Sequence, residues 1–199
     1  NPATLRDLNE KLAILLFPDF IPQTIVTASP EEIDRFVGRM GGKGIAKALD
    51  SFASLKIRKL SREDENYAES ARALTQNGRL PVMIQEFLPV EKGEKRVFLI
   101  DGTPWGAFMR VPRPGSYLTN PDMGGTLQRT TLTRREEEIS REVAREMDKR
   151  GVFFAGIDLI DERLTEVNIT SPGLIWEWNE VDGGAYHEKM VDRIEKRLM

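Results

Sequence analysis

"GIDLIDERLTEVNITSP", residues 156–172, consists of two apolar stretches joined by a short charged turn, with Asp158, Glu166 and Asn168 set inside the apolar stretches. Segments rich in β-branched residues on either side of a tight polar turn predict an antiparallel hairpin. With Asp161, Glu162 and Arg163 as the turn, Ile160 faces Leu164 and the register puts Asp158 directly across from Glu166. Asn168, two residues along, falls on the same face. Opposed like charges destabilise a strand pair, and burial among apolar neighbours raises that cost unless a cation or a proton compensates. Two carboxylates and an amide form an oxygen-only set that suits Mg²⁺ or Mn²⁺, which complete their shells with water and phosphate oxygens. Spacing alone leaves a second reading open, in which this face is wet and the two acids tolerate each other. A one-residue change in the turn would dissolve the pairing.

Working outward, "QTIVTA", "GIAKAL", "SLKIRKL", "VMIQEFL", "KRVFLID" and "WGAFMRV" also read as strands, bounded by Gly, Pro or Asp. Helix starts are signalled by Ser29 with Pro30 and Glu32 and by Thr133 with Glu136, and in acidic variants by Thr4 with Asp7 and Ser61 with Asp64. Ile139, Val143 and Met147 recur every four residues ahead of Gly151, which predicts a helix over 134–150. A last helix is predicted over 186–197, its stripe of Met190, Val191, Ile194 and Leu198 packing on the body. Short links such as "DGTP" and "DER" imply antiparallel hairpins, so the order predicts an α+β fold of two lobes rather than a doubly wound parallel sheet. The boundary is expected near residues 77–81, with a smaller lobe over 1–80 and a larger one over 81–199.

Composition narrows the function. The 199 residues carry 29 basic and 32 acidic side chains, a net charge of −3, so no global field recruits nucleic acid or an anionic membrane. Any anionic ligand is expected to be met locally, by individually placed cations. The absence of cysteine excludes disulfides, thiolate metal sites and a cysteine nucleophile, and fits a reducing cytoplasm. The longest apolar run, "LAILLF" at 12–17, falls far short of the ~20 residues of a membrane span, and no signal-peptide pattern opens the chain. A soluble, cytoplasmic protein is expected.

Taken with "LRDLNEKL", "KRVFLIDG" and "MRVP", the stretch "FAGIDLIDERLTEVNITSP" resembles the ATP-binding region of the prokaryotic glutathione synthetases, a family of ATP-grasp ligases. The likeness runs through nearly the whole chain. It implies an ATP-grasp fold, with two α+β lobes of largely antiparallel sheet enclosing a nucleotide cleft and Mg²⁺ bridging the phosphates. It implies a reaction as well: an acyl phosphate forms on γ-glutamylcysteine and the amine of glycine displaces the phosphate. By this resemblance Asp158, Glu166 and Asn168 are the metal ligands, and Lys11 in "NEKL" and Lys47 in "IAKAL" bind nucleotide phosphates. An unpaired ammonium in so apolar a strand as that of Lys47 would be costly. Gln85, Glu86 and Leu88 in "VMIQEFLP" correspond to the hinge that recognises adenine. Arg96 and Arg110 correspond to the arginines that reach phosphate and the developing acyl phosphate, a task suited to a planar, always-charged fork. Asn120, Ser171 and Pro172 fall at the substrate end.

The chain departs from the family pattern at several places. Residues 48–55, where the family has a glycine-rich phosphate-covering loop, contain no glycine. Leu118, Thr126 and Trp176 stand where arginines are expected, and Trp176 and Trp178 alternate as if to share one face, either as core filling or as a stacking surface. The family's N-terminal domain, which serves substrate binding and subunit association, is not in this sequence, and the abrupt start reads as loss of an upstream segment. A homo-oligomer is compatible with the resemblance. Two functions therefore compete: an ATP-dependent carboxylate-amine ligase, and a catalytically weakened ATP- and Mg²⁺-binding regulatory module.

Overall fold

The computed structural model describes residues 1–50 and 57–199. In chain order its elements are α1 (Pro2–Asp7), β1 (Thr24–Thr27), α2 (Pro30–Arg39), β2 (Lys43–Ala48), β3 (Ile57–Ser61), α3 (Tyr67–Leu74), β4 (Val82–Glu86), β5 (Glu94–Ile100), β6 (Thr103–Val111), β7 (Thr126–Arg129), α4 (Arg134–Lys149), β8 (Phe154–Ile160), β9 (Arg163–Asn168), α5 (Ile175–Asp182) and α6 (Tyr186–Leu198). The strands form two antiparallel sheets, ordered β1-β4-β2-β3 and β7-β6-β5-β8-β9. This is the α+β class expected from the hairpin links. Of the unexpected elements, β7 is a short polar strand recruited by pairing with β6, a tertiary effect that its sequence "TLQR" does not announce.

The chain divides into two compact units, Ile21–Pro89 and Asn1–Phe20 with Val90–Met199. In the smaller unit, α2 starts as expected: Pro30 fills the first turn and the Ser29 hydroxyl accepts from the Glu32 N–H at 3.2 Å. Ile33, Phe36 and Val37 recur on one helical face and bury against Ala46, Leu60, Val82 and Ile84 of the sheet. The helix start expected at Ser61 is not there. Ser61 is held in β3 by pairing with Lys43, and α3 begins only at Tyr67 after a turn in which the Asp64 N–H bonds the Ser61 carbonyl.

The first twenty residues belong to the larger unit, not to the smaller as expected. Their polar groups are bonded there: the Asn1 ammonium donates to the Gly151 carbonyl at 2.7 Å, and the Phe20 carbonyl accepts from the Leu164 N–H at 2.8 Å. Residues 77–81, expected as the boundary, form a turn inside the smaller unit, where the Arg79 and Leu80 N–H groups both bond the Thr75 carbonyl. Helix α1 is capped by Asn1 rather than Thr4, whose hydroxyl instead donates to the Arg150 carbonyl at 2.6 Å.

One face of the larger sheet packs on α4, which opens with the full capping box of Thr133 and Glu136 and buries Ile139, Val143 and Met147. On the other face Phe98 and Phe108 meet Trp178 of α5. Trp176 and Trp178 do not share a face. They sit on a helix, where two residues turn the side chain by about 200°, so Trp178 stacks on Tyr186 with centroids 3.4 Å apart while Trp176 is 60% exposed. The stripe of α6 also differs from expectation, with Val191 52% and Leu198 81% exposed. Its charged side faces the body instead: Arg193 bonds Asp101 at 2.7 Å, Arg197 pairs with the same carboxylate, and the Arg197 guanidinium lies over the Phe153 ring. Among the described residues no helix is long and apolar enough to cross a membrane.

Candidate active site

Directly opposed residues in a sheet share a face, and so do residues two apart on one strand. In the larger unit β5, β8 and β9 run side by side, and their register sets Arg96 opposite Asp158 and Asp158 opposite Glu166. On the flanking pair, Arg110 of β6 lies opposite Glu94 of β5. Arg96, Glu94, Arg110, Asp158, Glu166 and Asn168 therefore occupy one end of the face whose other end is the Phe98–Phe108–Trp178 cluster.

The pairing of Asp158 with Glu166 is as expected, but the turn is not. Only Asp161 and Glu162 form it, both with positive φ (48° and 60°), so Ile160 pairs with Arg163 and Leu159 with Leu164. Carried on, that register would place Thr165 opposite Asp158 and turn Glu166 to the far face. A β-bulge between Asp158 and Leu159 absorbs Thr165, whose hydroxyl bonds the Asp158 carbonyl at 3.1 Å, and restores the Asp158–Glu166 pair.

Asp158 is 1% exposed, which disposes of the wet-face reading for that residue. Guanidinium groups supply its counter-charge. Arg96 grips both carboxylate oxygens, Nε to Oδ1 at 2.5 Å and Nη2 to Oδ2 at 2.9 Å, and Arg110 Nη2 reaches Oδ2 at 2.9 Å. Arg110 Nη2 also pairs with Glu94 at 2.8 Å, and the Thr119 hydroxyl donates to the same Glu94 oxygen. Glu166 pairs with Lys11 at 3.1 Å, and the Asn168 amide lies 3.4 Å from Asp158 Oδ2. Burial by itself would raise the Asp158 carboxyl, but Arg110 and Arg96 override it and hold the group well below the usual carboxylate range. Burial likewise works against the Arg110 charge and is overridden by Asp158 and Glu94, which push that guanidinium upward. Arg110 Nε is buried without a hydrogen-bond partner among the described residues, a donor that lacks an acceptor.

The loop after β9 is fixed over this row. Glu10 accepts from the Ile169 and Thr170 N–H groups at 2.7 Å each, and Arg96 Nη1 lies 3.5 Å from the Gly173 carbonyl. Glycine at 156 makes this approach feasible, since a Cβ there would stand 3.1 Å from Arg96 Cδ and 3.2 Å from Pro172 Cβ. Of the expected substrate residues, Pro172 is buried in this loop, Ser171 is exposed, and Asn120 caps a short turn by accepting from the Asp122 N–H at 3.0 Å.

In the smaller unit Lys47 and Gln85 are buried on one face of the sheet, and Gln85 donates to Thr24 at 3.2 Å. Alternation puts Glu86 on the other face, beside Gly44, while its backbone N–H bonds the Gln23 carbonyl. Leu88 is half-buried beyond the strand end. Residues 51–55 of the expected phosphate-covering segment lie outside the described residues.

Sequence reading missed Glu94, Thr119 and Glu10. The signal for Glu94 was available, because it stands two residues before Arg96 on a strand; Thr119 and Glu10 act through loop geometry that leaves no pattern. No group of three or more His, Cys, Asp or Glu able to hold a metal occurs among the described residues. Asp158, Glu166 and Asn168 nevertheless fit Mg²⁺ or Mn²⁺ in kind, because such ions take one or two carboxylates and fill their shells with water and phosphate.

Comparison with known proteins agrees with this architecture. The family profile of the prokaryotic glutathione synthetase ATP-grasp domain matches residues 10–183. Glutathione synthetases of Nostoc sp. and Agrobacterium fabrum are 40% and 37% identical over 100% and 99% of this chain, and 61% and 62% of their own lengths. The chain thus spans about three fifths of the curated relatives it matches. Among solved structures, D-cycloserine synthetase DcsG superposes with a TM-score of 0.66 at 16% identity, covering 85% of this chain and 64% of that one. The ATP-grasp ligase PsnB, complexed with minimal precursor, Mg and ADP, gives 0.64 at 21% identity, covering 90% and 55%. The fold is ATP-grasp, and the chain belongs to the family of the prokaryotic glutathione synthetase ATP-grasp domain.

Proposed function

We propose that this chain is the ATP-binding portion of a carboxylate-amine ligase of glutathione-synthetase type. The γ-phosphoryl group of ATP passes to a carboxylate oxygen of γ-glutamylcysteine or a related acid, releasing ADP. The amine of glycine then attacks the acyl carbon, the C–N bond forms as the C–O bond to phosphate breaks, and the amine sheds a proton. Such transfers depend on positioned positive charge more than on covalent help from the protein.

The observation that carries the reading is Arg110, a buried guanidinium with an unsatisfied Nε–H beside the Asp158–Glu166 pair. That N–H suits an oxyanion, and Arg96 on the neighbouring row gives a second fork. Asp158, Glu166 and Asn168 hold Mg²⁺ or Mn²⁺, which supplies charge neutralisation at the phosphates when bound. Lys11 and Lys47 bind phosphate, and Gln85, Glu86 and Leu88 recognise adenine, Glu86 through its backbone. Asn120, Ser171 and Pro172 border the carboxylate substrate, and the reaction belongs to the cytoplasm.

A second reading, binding without catalysis, draws on the glycine-free segment 48–55 and on Leu118, Thr126 and Trp176 in place of expected arginines. One assay separates the two. Phosphate release from Mg²⁺·ATP is measured with and without γ-glutamylcysteine plus glycine, alongside calorimetric binding of the nucleotide. Substrate-stimulated release supports the ligase; binding without stimulation removes that substrate pair and leaves the module; no binding refutes both.

A further inference from the structure

A cavity of about 440 Å³ opens between β6 and α6 in the larger unit, a volume within the roughly 300–1,000 Å³ of small-molecule sites. None of its lining residues belongs to the charged row. Pro104, Trp105 and Tyr186 are half-buried and form an apolar, largely flat wall. Trp105 packs against the Phe98–Phe108–Trp178 cluster and Tyr186 stacks on Trp178, so both rings are held in place. The exposed rim comes from one face of α6, where Lys189, Asp192, Arg193 and Lys196 recur at three- and four-residue spacing. Arg193 is paired with Asp101, whereas neither lysine forms an ion pair among the described residues; Lys189 Nζ lies 4.9 Å from the centre of the Tyr186 ring. Like charges at this spacing destabilise a helix, and an anion placed among them relieves the repulsion.

We propose that this cavity binds a planar aromatic phosphate, with its ring against Trp105 and its phosphate among Lys189, Arg193 and Lys196. The flat wall offers stacking area to a ring, and the ammonium groups offer point charges to a compact anion. Arg193 keeps Asp101 and has further N–H groups to donate, so the two lysines carry most of the anion's charge. Asp192 offsets one of the three cations on the rim. The surplus matches a single phosphate, which carries close to two negative charges at neutral pH, better than a polyphosphate or a carboxylate. Inorganic phosphate would leave the wall uncovered, and an uncharged ring would leave the lysines unpaired.

Calorimetric titration with naphthyl phosphate, naphthol and inorganic phosphate tests this, with Mg²⁺ and an excess of a non-hydrolysable ATP analogue present to occupy the proposed nucleotide site. The parent is expected to bind naphthyl phosphate roughly ten-fold more tightly than either fragment, since naphthol meets only the wall and inorganic phosphate only the rim. The double variant Lys189→Ala, Lys196→Ala changes two exposed positions and leaves the core untouched. It should weaken naphthyl phosphate binding roughly ten-fold, and added salt should weaken binding to the parent more than to the variant. Trp105→Leu, which keeps the wall apolar but not aromatic, should weaken it roughly five-fold. No binding of naphthyl phosphate in the presence of the analogue, or an affinity unchanged within two-fold by the lysine substitutions, overturns the proposal. If Trp105→Leu fails to fold, the lysine variant decides alone. A parent that binds no analogue refutes the nucleotide site instead, and the lysine variant still decides for this cavity.

Discussion

Asp158→Asn separates the structural from the ligand-binding role of the buried carboxylate. The substitution keeps the shape and one acceptor oxygen but removes the charge that Arg96 grips at 2.5 and 2.9 Å and Arg110 at 2.9 Å. Removing one partner of a buried ion pair costs about 3–5 kcal/mol, because the other charge is left uncompensated. Arg110 keeps Glu94 at 2.8 Å, so the lower end applies, about 3 kcal/mol. For a chain of this length that corresponds to a fall in Tm of roughly 6–12 °C. Glu166→Gln is the comparison. Glu166 is more exposed and pairs with Lys11 at 3.1 Å, so its loss should cost about 1–2 kcal/mol. The three tryptophans, at 105, 176 and 178, all lie in the larger unit, so urea unfolding followed by their fluorescence reports on the unit that holds the cluster. A ligand-free Asp158→Asn protein within 1 kcal/mol of the parent, on the scale of a surface pair, or one no less stable than Glu166→Gln, would refute the charge-compensation argument.

Other outcomes follow from the same geometry. Gly106→Ala brings a Cβ to 2.5 Å from Trp178 Cζ2, so it should displace the indole from Tyr186, cost about 1–3 kcal/mol and shift the tryptophan emission. Deleting Thr165 removes the bulge and brings Glu166 directly after Leu164, still opposite Asp158 in an unbroken register, so metal-dependent nucleotide binding in calorimetry should be retained and the hairpin should persist by circular dichroism. Asp158 has a folded-state pKa below its unfolded value of about 3.9, so its stabilisation is present above that pH and is lost as pH falls through the folded-state value. The stability gap between the parent and Asp158→Asn should therefore be constant from pH 7 to about 5 and narrow toward pH 3; a gap that widens on acidification would contradict the assignment.

The pairing of Asp158 with Glu166 was legible in the sequence because strand alternation and hairpin pairing are short-range rules, whereas Arg96, Arg110 and Lys11 were named only through the family resemblance. Local rules of the same kind let the capping pair of Thr133 and Glu136 mark α4 correctly. The Asp158–Glu166 pairing was reached through a turn one residue too long, and the bulge at Thr165 made up the difference; neither feature carries a composition signal strong enough to read alone. Trp176 and Trp178 were expected to share one face, but they lie on α5, which follows Leu174, an N-cap residue in the left-handed conformation with no capping side chain to announce a helix. The cation beside Asp158 was anticipated as a metal, whereas in the chain by itself Arg96 and Arg110 fill that part, a partnership across three strands that only the tertiary register establishes. The place of the first twenty residues was illegible for the same reason: Asn1, Glu10 and Phe20 are tied to partners more than 140 residues away.

The central claim, that the Asp158–Glu166 carboxylate pair and the neighbouring arginines form a metal-dependent nucleotide site, is tested most directly by calorimetric titration of a non-hydrolysable ATP analogue with and without Mg²⁺, in the parent and in Glu166→Gln. The account predicts saturable binding of the analogue to the parent with Mg²⁺, at least ten-fold weaker binding without it, and the same loss in Glu166→Gln with Mg²⁺ present. Equal affinity in all three conditions would contradict it.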